Sequence, residues 1–173
     1  MISCVLITKE KVYPQNVLDR LETGFFDEII IKTESASVYQ RYLTAKEAKS
    51  DIIYVQDDDC FLNYQDLFKK YNGKITNGMT QQHQDYYLPL NCTLVGWGCF
   101  FPKSMLDVFD KYIKIYGEDA HLLREADRIF TYLNQPFNSI VMRHEDLPQI
   151  DRMSLEPDHY NSLHEVLKKL ASV

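Results

Sequence analysis

At 173 residues, 45% of them hydrophobic, the chain can bury one good core and is close to the usual single-domain size of about 100–150 residues. Its formal net charge of −6 argues against nucleic acid as a principal partner, because phosphate backbones are bound mainly through clustered Lys and Arg. The apolar segment at residues 1–7 is too short for a membrane span and lacks the basic leader and cleavage site of a signal peptide, so we expect no span.

The cysteines form no CxxC pair, and each lies in or beside an apolar segment. They are Cys4, Cys60, Cys92 and Cys99. This distribution predicts buried free thiols rather than a disulfide framework. Free thiols are typical of a reducing compartment, so we expect a cytoplasmic protein.

The first third of the chain alternates predicted strands and helices. A strand at 2–8, a helix at 12–22, a strand at 25–32, a helix at 37–50 and a strand at 51–56 follow from their apolar patterns. Strand, helix, strand, helix, strand makes two consecutive crossover units, which build a parallel sheet. The pattern therefore predicts an α/β fold.

The rest of the chain is more varied. A short helix is predicted at 65–71, and the polar, Gln- and Tyr-rich residues 72–91 favour a hairpin or loop strands. A hydrophobic segment broken by two glycines follows at 94–102. The remaining predictions are helices at 103–116 and 118–133, a last core strand at 137–142, a loop at 143–157 and a terminal helix at 159–170.

Three successive carboxylates, Asp57, Asp58 and Asp59, follow the third predicted strand. Clustered like charges repel one another without a counterion, and hard divalent cations prefer oxygen ligands, so the triplet suggests a metal and phosphate site. Open α/β sheets also bind ligands beyond the carboxyl ends of their strands. The alternative is that an Asp caps the next helix. A haloacid-type phosphatase is disfavoured because Cys60 and Phe61 follow the triplet, where Thr or Val normally follows the second Asp.

The triplet after residues 52–56 resembles the DxD or DDD element of nucleotide-sugar glycosyltransferases of the GT-A fold, similar in layout to the family two and exostosin-like enzymes. This resemblance implies a single-domain, Rossmann-type, mostly parallel sheet flanked by helices, with a nucleotide-binding half at about 1–62 and an acceptor-side half at about 63–173. It also implies Mn²⁺ or Mg²⁺ on the donor diphosphate. Asp59 would be the direct metal ligand, Asp57 would orient the ribose or a metal-bound water, and Asp58 would face the sugar.

Gly96, Trp97 and Gly98 resemble the glycine-containing loop that these families place near the donor sugar and acceptor. Glycines let the backbone approach a sugar closely, and an indole can pack on a pyranose face. Equally, Trp97 could be a core residue and the glycines bulge positions in a strand.

The resemblance further implies a carboxylate on the helix at 118–133 that accepts the proton of the attacking hydroxyl in inverting enzymes. Asp127 is the first choice, with Glu125 and Asp119 as alternates. Such a base must reach the hydroxyl directly or through one water. An exposed charge on a helix face is the other interpretation of each.

His144 follows the last predicted strand, where some relatives supply a third metal ligand, and imidazole suits Mn²⁺ better than Mg²⁺. A hydrogen-bonded surface histidine is the alternative. Further residues at the same predicted sheet edge, or on the helix that follows it, are candidate contacts to the nucleotide. They are Thr8, Lys9, Lys32, Thr33, Glu34 and Arg41.

These expectations combine into a metal-dependent, hexosyltransferase-type glycosyltransferase that uses a UDP- or GDP-sugar donor and a glycan or protein acceptor. One alternative is a noncatalytic nucleotide-sugar or carbohydrate binding module of the same fold. The other is a nucleotidyltransferase, which normally carries a Gly-rich basic loop after the first strand, whereas residues 8–11 contain no glycine. The chain is short for the family, so the acceptor site is expected to be shallow or completed by another chain or domain.

Overall fold

A computed structural model describes residues 1–11, 15–21, 24–146 and 159–172 of the chain. These residues form both strands and helices. The strands are β1 (Ile2–Ile7), β2 (Glu28–Lys32), β3 (Ile52–Asp57), β4 (Cys60–Phe61), β5 (Thr76–Met79), β6 (Cys99–Pro102), β7 (Asn138–Val141) and β8 (Glu145–Asp146). The helices are α1 (Gln15–Leu18), α2 (Gln40–Glu47), α3 (Tyr64–Phe68), α4 (Gln81–Tyr87), α5 (Asp107–Tyr116), α6 (Ala120–Leu133) and α7 (His159–Leu170).

Six of the strands form one sheet in the order β2-β1-β3-β6-β5-β7. The pairs β1–β2, β1–β3 and β5–β7 are parallel, and β6 runs antiparallel to both of its neighbours. Every strand of this sheet except β6 therefore points the same way. This confirms the prediction of a single-domain α/β fold with a mostly parallel, Rossmann-like sheet flanked by helices.

The strands β1 and β3 are mainly apolar, and both of their faces are covered. Along β1, the side chain of Val5 joins one core cluster, whereas those of Cys4 and Leu6 join the cluster on the opposite face. On β3, Val55 and Tyr54 divide in the same way. Successive side chains of a strand point to opposite faces, so a strand buried on both faces needs apolar residues at every position.

The register of the parallel strands brings three segment ends to one edge of the sheet. Ile7 at the end of β1 lies opposite both Lys32, the last residue of β2, and Asp57, the last residue of β3. The residues that follow these strands therefore lie side by side at the carboxyl edge, where open α/β sheets bind ligands.

Residues 72–91 do not form the predicted hairpin. They contain β5, which pairs with the distant strands β6 and β7, and then the helix α4. Thr80 caps α4 by accepting a hydrogen bond from the His83 N–H, and Gln84 and Tyr87 are buried. The hairpin prediction was wrong because the polar residues of this segment include a helix cap and one buried helix face.

The last predicted strand lies at an edge rather than in the core. It is β7, the final strand in the sheet order, and Val141 is 54% exposed. The predicted loop at 143–157 begins with β8, which pairs with β4 in a separate two-stranded sheet. Residues 147–157 of that loop, and residues 12–14 and 22 of the first predicted helix, lie outside the described residues.

The helix α7 has the predicted bounds, and the four cysteines are free and buried as predicted. Across the described part of the chain, no helix combines the length and apolar character needed to cross a membrane.

Candidate active site

The acidic triplet ends the central strand β3 and turns the chain into β4. Asp57 is the last residue of β3, and Asp58 and Asp59 form the turn between the two strands. Asp58 is buried and accepts a hydrogen bond from the Thr8 side chain, whereas Asp57 and Asp59 remain partly exposed. The cap of the following helix α3 is Asn63, whose side chain accepts from the Asp66 N–H. Helix capping therefore does not explain the triplet.

Arg41 is the internal cation of the site. Its side chain is only 3% exposed, and its guanidinium lies between two carboxylates from different elements. Nη2 donates to Oδ1 of Asp57, and Nη1 donates to Oδ1 and Oδ2 of Asp127 at 2.6 and 2.8 Å. The sequence predicted a nucleotide contact for Arg41. The structure places it inside the protein, joining the end of β3 to α6.

Asp127 is the most heavily hydrogen-bonded acid of the site. Besides Arg41, the Tyr42 hydroxyl donates to it at 2.7 Å and the Gly96 N–H donates to it at 3.4 Å. Its side chain is only 7% exposed. The structure thus brings Asp127 to the same site as the triplet, as an ion-paired carboxylate with most of its acceptor capacity in use.

The electrostatics of the site reflect burial and crowding of charge. Burial raises the pKa of Asp57; the Arg41 guanidinium opposes this, while the carboxylates of Asp59 and Asp127 add to it, leaving a pKa of about 6. Burial also raises the pKa of Asp58, against the hydrogen bond from Thr8. Both shifts are due first to burial, and the neighbouring carboxylates add to them.

Arg41 and Tyr42 keep their usual protonation in this setting. Burial alone would lower the pKa of Arg41, but the carboxylates of Asp127 and Asp57 raise it above its ordinary value. Burial, with the Asp127 carboxylate adding to it, raises the pKa of Tyr42 well above its ordinary value. Arg41 is thus a permanent cation and Tyr42 a permanent hydrogen-bond donor to Asp127.

Two glycines allow close packing of the segment before β6, and one of them, Gly96, lies against the triplet. Gly96 leaves no room for a side chain, because a Cβ there would overlap Oδ2 of Asp57 and would lie 2.6 Å from Nη2 of Arg41. Gly98 has a φ of +118° and would place a Cβ 2.5 Å from the Leu62 side chain. The backbone of Gly96 therefore packs against Asp57, and its predicted approach to a sugar stays a prediction.

Trp97 lies between these glycines and is half-buried. Its ring packs against two imidazoles, with centroids 4.1 Å from His83 and 4.4 Å from His144. Nε2 of His144 lies 3.2 Å from the Gly78 carbonyl oxygen, and Nδ1 of His83 lies 2.6 Å from the Thr80 hydroxyl. His144 is thus placed with Trp97. Within residues 1–11, 15–21, 24–146 and 159–172, no three His, Cys, Asp or Glu side chains are grouped as ligands of one metal ion.

The two alternate candidates for a general base occupy different settings on α6. Glu125 is fully buried at a non-helical position inside the helix and lies 3.6 Å from Nε of Arg128. Asp119 is the N-cap of α6: it accepts from the Leu122 N–H at 2.8 Å and pairs with Lys169. Asp119 therefore has a helix-capping role.

The loops after β1 and β2 lie side by side at the carboxyl edge. The Thr8 N–H donates to the Lys32 carbonyl oxygen, and the Ser35 N–H donates to the Thr8 carbonyl oxygen, each at 2.9 Å. Glu34 between them has a φ of +53°. Three exposed or half-buried side chains complete the predicted set along these loops: Lys9, Lys32 and Thr33.

Sequence reasoning missed two polar groups of the site. Tyr42 lies on α2, and its hydroxyl donates to Asp127, a contact that no local pattern indicates. His83 was not singled out, although Thr80 and His83 have the spacing of a helix N-cap and its partner, a signal that could have placed α4. The contact of His83 with Trp97 depends on the pairing of β5 and β6, which no local pattern specifies.

The fold and the site together define a Rossmann-like α/β protein with an acidic carboxyl edge. No protein-family model matches the chain, and no curated protein matches it. Among solved structures 26 chains match. One is the crystal structure of the protein Aq1419 from Aquifex aeolicus VF5, which matches with a TM-score of 0.53 and 16% sequence identity. The match covers 82% of this chain and 86% of the Aquifex chain. At this identity the likeness shows the fold alone.

Proposed function

We propose that this protein is a metal-dependent glycosyltransferase of the hexosyltransferase type, which moves a sugar from a UDP- or GDP-sugar to a hydroxyl of a glycan or protein acceptor. The observation that carries the proposal is the position of the acidic triplet. It ends the central strand β3 at the carboxyl edge, beside the loops that follow β1 and β2, with Asp57 and Asp59 partly exposed. This is the edge at which open α/β sheets bind nucleotides.

The carboxylate oxygens of the triplet suit a hard divalent cation. Asp57, at the end of β3, and Asp59, in the turn that follows, offer partly exposed carboxylate oxygens. Mn²⁺ or Mg²⁺ commonly binds through one or two protein carboxylates plus phosphate oxygens and water, so a third protein ligand is not required. Bound there, the ion would neutralise the negative charge that develops on the diphosphate leaving group.

The chain's own groups would bind and orient the donor. Lys9, after β1, and Lys32, at the end of β2, lie at the same edge of the sheet as the triplet and would contact a phosphate or ribose there. Trp97 follows Gly96 in the chain, and its half-buried ring would pack against the transferred sugar. Arg41 would hold Asp57 and Asp127 in place.

Asp127 remains the proposed proton acceptor, with Glu125 the alternate. Hydrogen bonds at catalytic groups often rearrange only in the complex with substrate, so the present bonds do not exclude the role. The acceptor hydroxyl would have to replace one of the donors that Asp127 now uses, which are Arg41, Tyr42 and the Gly96 N–H.

Asp127 already accepts hydrogen bonds from three groups of the protein, and this favours a second candidate function, a noncatalytic module that binds a nucleotide sugar or carbohydrate. In such a protein Asp127 would serve only as the partner of Arg41. The triplet would still bind metal and nucleotide, and no sugar would be transferred.

The decisive experiment incubates the protein with UDP- and GDP-sugars in the presence of Mn²⁺ or Mg²⁺ and measures both binding and release of the nucleoside diphosphate. The glycosyltransferase proposal fails if the wild-type protein neither binds nor consumes any nucleotide sugar. Asp59→Asn should abolish metal-dependent nucleotide binding together with turnover. Asp127→Asn should abolish turnover and keep measurable metal-dependent nucleotide binding, weakened because Arg41 loses one of its two carboxylate partners. Binding without any turnover by the wild type would support the noncatalytic module.

We also propose a cytoplasmic location, which the four buried free thiols support. Burial raises the pKa of the Cys4 and Cys99 thiols above the ordinary range, so they are protonated and unreactive at neutral pH. Free thiols of this kind are the usual state of cysteine in a reducing compartment.

A further inference from the structure

We infer that Arg41 is a positioning residue: by bridging Asp57 and Asp127 it holds the acidic triplet in the arrangement that binds a divalent cation and nucleotide. This inference rests on the proposed function of the triplet, and it assigns Arg41 an internal role in place of the nucleotide contact expected from the sequence.

The geometry requires the planar fork of an arginine. One terminal nitrogen, Nη2, meets Asp57 on β3, and the other, Nη1, meets both oxygens of Asp127 on α6. A guanidinium presents donors in fixed directions and can serve two carboxylates at once. The ammonium of lysine is a single point charge on a flexible stem and does not reproduce this geometry.

Stability alone does not account for the bridge. The desolvation of buried charges offsets most of their attraction, so a buried ion pair is a weak source of net stability compared with apolar residues of the same size. Yet Asp57 is not wholly buried, since 31% of its side chain is exposed at the carboxyl edge of the sheet. Arg41 thus orients a carboxylate that also faces solvent.

The other contacts of Asp57 restrict it further. The Gly96 backbone lies against its second oxygen, Oδ2, and the Gly96 N–H also contacts Asp127. Tyr42, next to Arg41 on α2, donates to Asp127 from the same helix. The segment before β6 and the helices α2 and α6 therefore meet around Asp57, and Arg41 is the group that joins them by charge.

Oriented carboxylates of this kind bind metal more tightly. Groups that hold a ligand in place without touching the metal commonly change metal affinity by about 10- to 100-fold when they are replaced. We therefore expect Arg41→Lys to weaken Mn²⁺ binding about tenfold or more, while Asp57, Asp58 and Asp59 are all retained.

The single tryptophan of the chain supplies a local assay. Trp97 directly follows Gly96, which contacts Asp57, so Mn²⁺ bound at the triplet should quench its fluorescence in a saturable manner. The titration is made with Mn²⁺ alone and then with Mn²⁺ plus UDP or GDP. Unfolding by urea is measured for each variant in parallel, to separate affinity from stability.

Arg128→Lys is the matched control. Arg128 is as deeply buried as Arg41, at 5% against 2% exposure, and lies beside a buried acid, Glu125. Both lysine variants should lose stability, but Arg128→Lys should keep the wild-type Mn²⁺ affinity within about twofold. Equal loss of affinity in the two variants would show a general effect of disturbing α6 and would overturn the inference.

A double variant keeps the test valid if Arg41→Lys does not fold. The double variant Arg41→Gln with Asp127→Asn removes one positive and one negative charge together. Its free energy of unfolding should exceed that of Arg41→Gln alone, while its Mn²⁺ affinity should stay at least tenfold weaker than that of the wild type. Wild-type affinity in this double variant, or in Arg41→Lys, would overturn the positioning role alone. Absence of saturable quenching in the wild type would overturn the proposed function and this inference with it.

Discussion

Replacing Gly96 with alanine would place a methyl group where the Asp57 carboxylate lies. The new Cβ would overlap Oδ2 of Asp57 and would lie 2.5 Å from its Cγ and 2.6 Å from Nη2 of Arg41. All of these separations are far below van der Waals contact. Asp57 cannot simply swing aside, because its other oxygen accepts from Arg41, so relief of the clash must break that ion pair or move the segment before β6.

The expected destabilisation follows from two opposing effects. Overpacking of a close-packed site typically costs about 1–3 kcal/mol. Replacing a glycine with alanine lowers the conformational entropy of the unfolded chain, which stabilises the folded protein by about 0.4–1 kcal/mol where the backbone conformation suits alanine. Gly96 meets this condition, because it is not among the glycines with positive φ. The net loss should be about 1–2 kcal/mol, which for a protein of this size lowers Tm by about 2–8 °C.

The assay is a thermal unfolding curve combined with Mn²⁺ quenching of Trp97. Gly96→Ala should lower Tm and weaken Mn²⁺ binding together, since both depend on the placement of Asp57. The control is Gly73→Ala, where φ is +82° and nothing lies within 4 Å of the new Cβ. Left-handed backbone costs an alanine about 1–2 kcal/mol, so the control should lose similar stability without any change in Mn²⁺ affinity.

A Gly96→Ala protein with wild-type Tm and wild-type Mn²⁺ affinity would refute the reasoning. Such a result would mean that breaking the ion pair between Asp57 and Arg41 does not lower the stability of the protein. The bridge would then have no role in shaping the site.

Asp127→Asn should lower the free energy of unfolding by about 3 kcal/mol in urea denaturation, because it leaves the buried guanidinium of Arg41 with only one carboxylate partner. Asp59→Asn, at a partly exposed turn, should change it by less than about 0.5 kcal/mol while abolishing Mn²⁺ quenching, and a comparable loss of stability would count against a ligand role. Burial raises the pKa of Asp119, but hydrogen bonds from Lys169 and the Leu122 N–H outweigh this and leave the pKa below its ordinary value. Asp119 therefore stabilises the fold above its unfolded pKa of about 3.9, and the difference in unfolding free energy between wild type and Asp119→Ala should be full at pH 7 and shrink as the pH falls below 4. A difference that stays constant down to pH 2 would contradict that linkage. The four buried cysteines should react with a thiol reagent only after urea unfolds the protein, and rapid labelling of the native protein would contradict their burial.

Local patterns predicted most of the elements and one edge of the site. The continuous apolar runs of β1 and β3 and the crossover order implied a parallel sheet, and the carboxyl ends of parallel strands must meet at one edge. The placement of Thr8 beside Asp58 followed from this rule. Within residues 72–91 a strand was predicted and β5 is present, but α4 was missed because a polar sequence with one buried helix face has no strong apolar period.

The sequence by itself determined the acidic triplet, its position after a buried strand and the side of the sheet on which it lies, because these depend on strand order and on residues adjacent in the chain. Only the tertiary structure decided that Arg41 points inward to Asp57 and Asp127, and that Gly96 lies against Asp57. Arg41 and Asp127 are 86 residues apart, and Gly96 and Asp127 are 31 apart. Contacts over such separations are set by the packing of α2 and α6 around the sheet. The sequence does not show which of its carboxylates pair with Arg41, and only the burial of these side chains decides it.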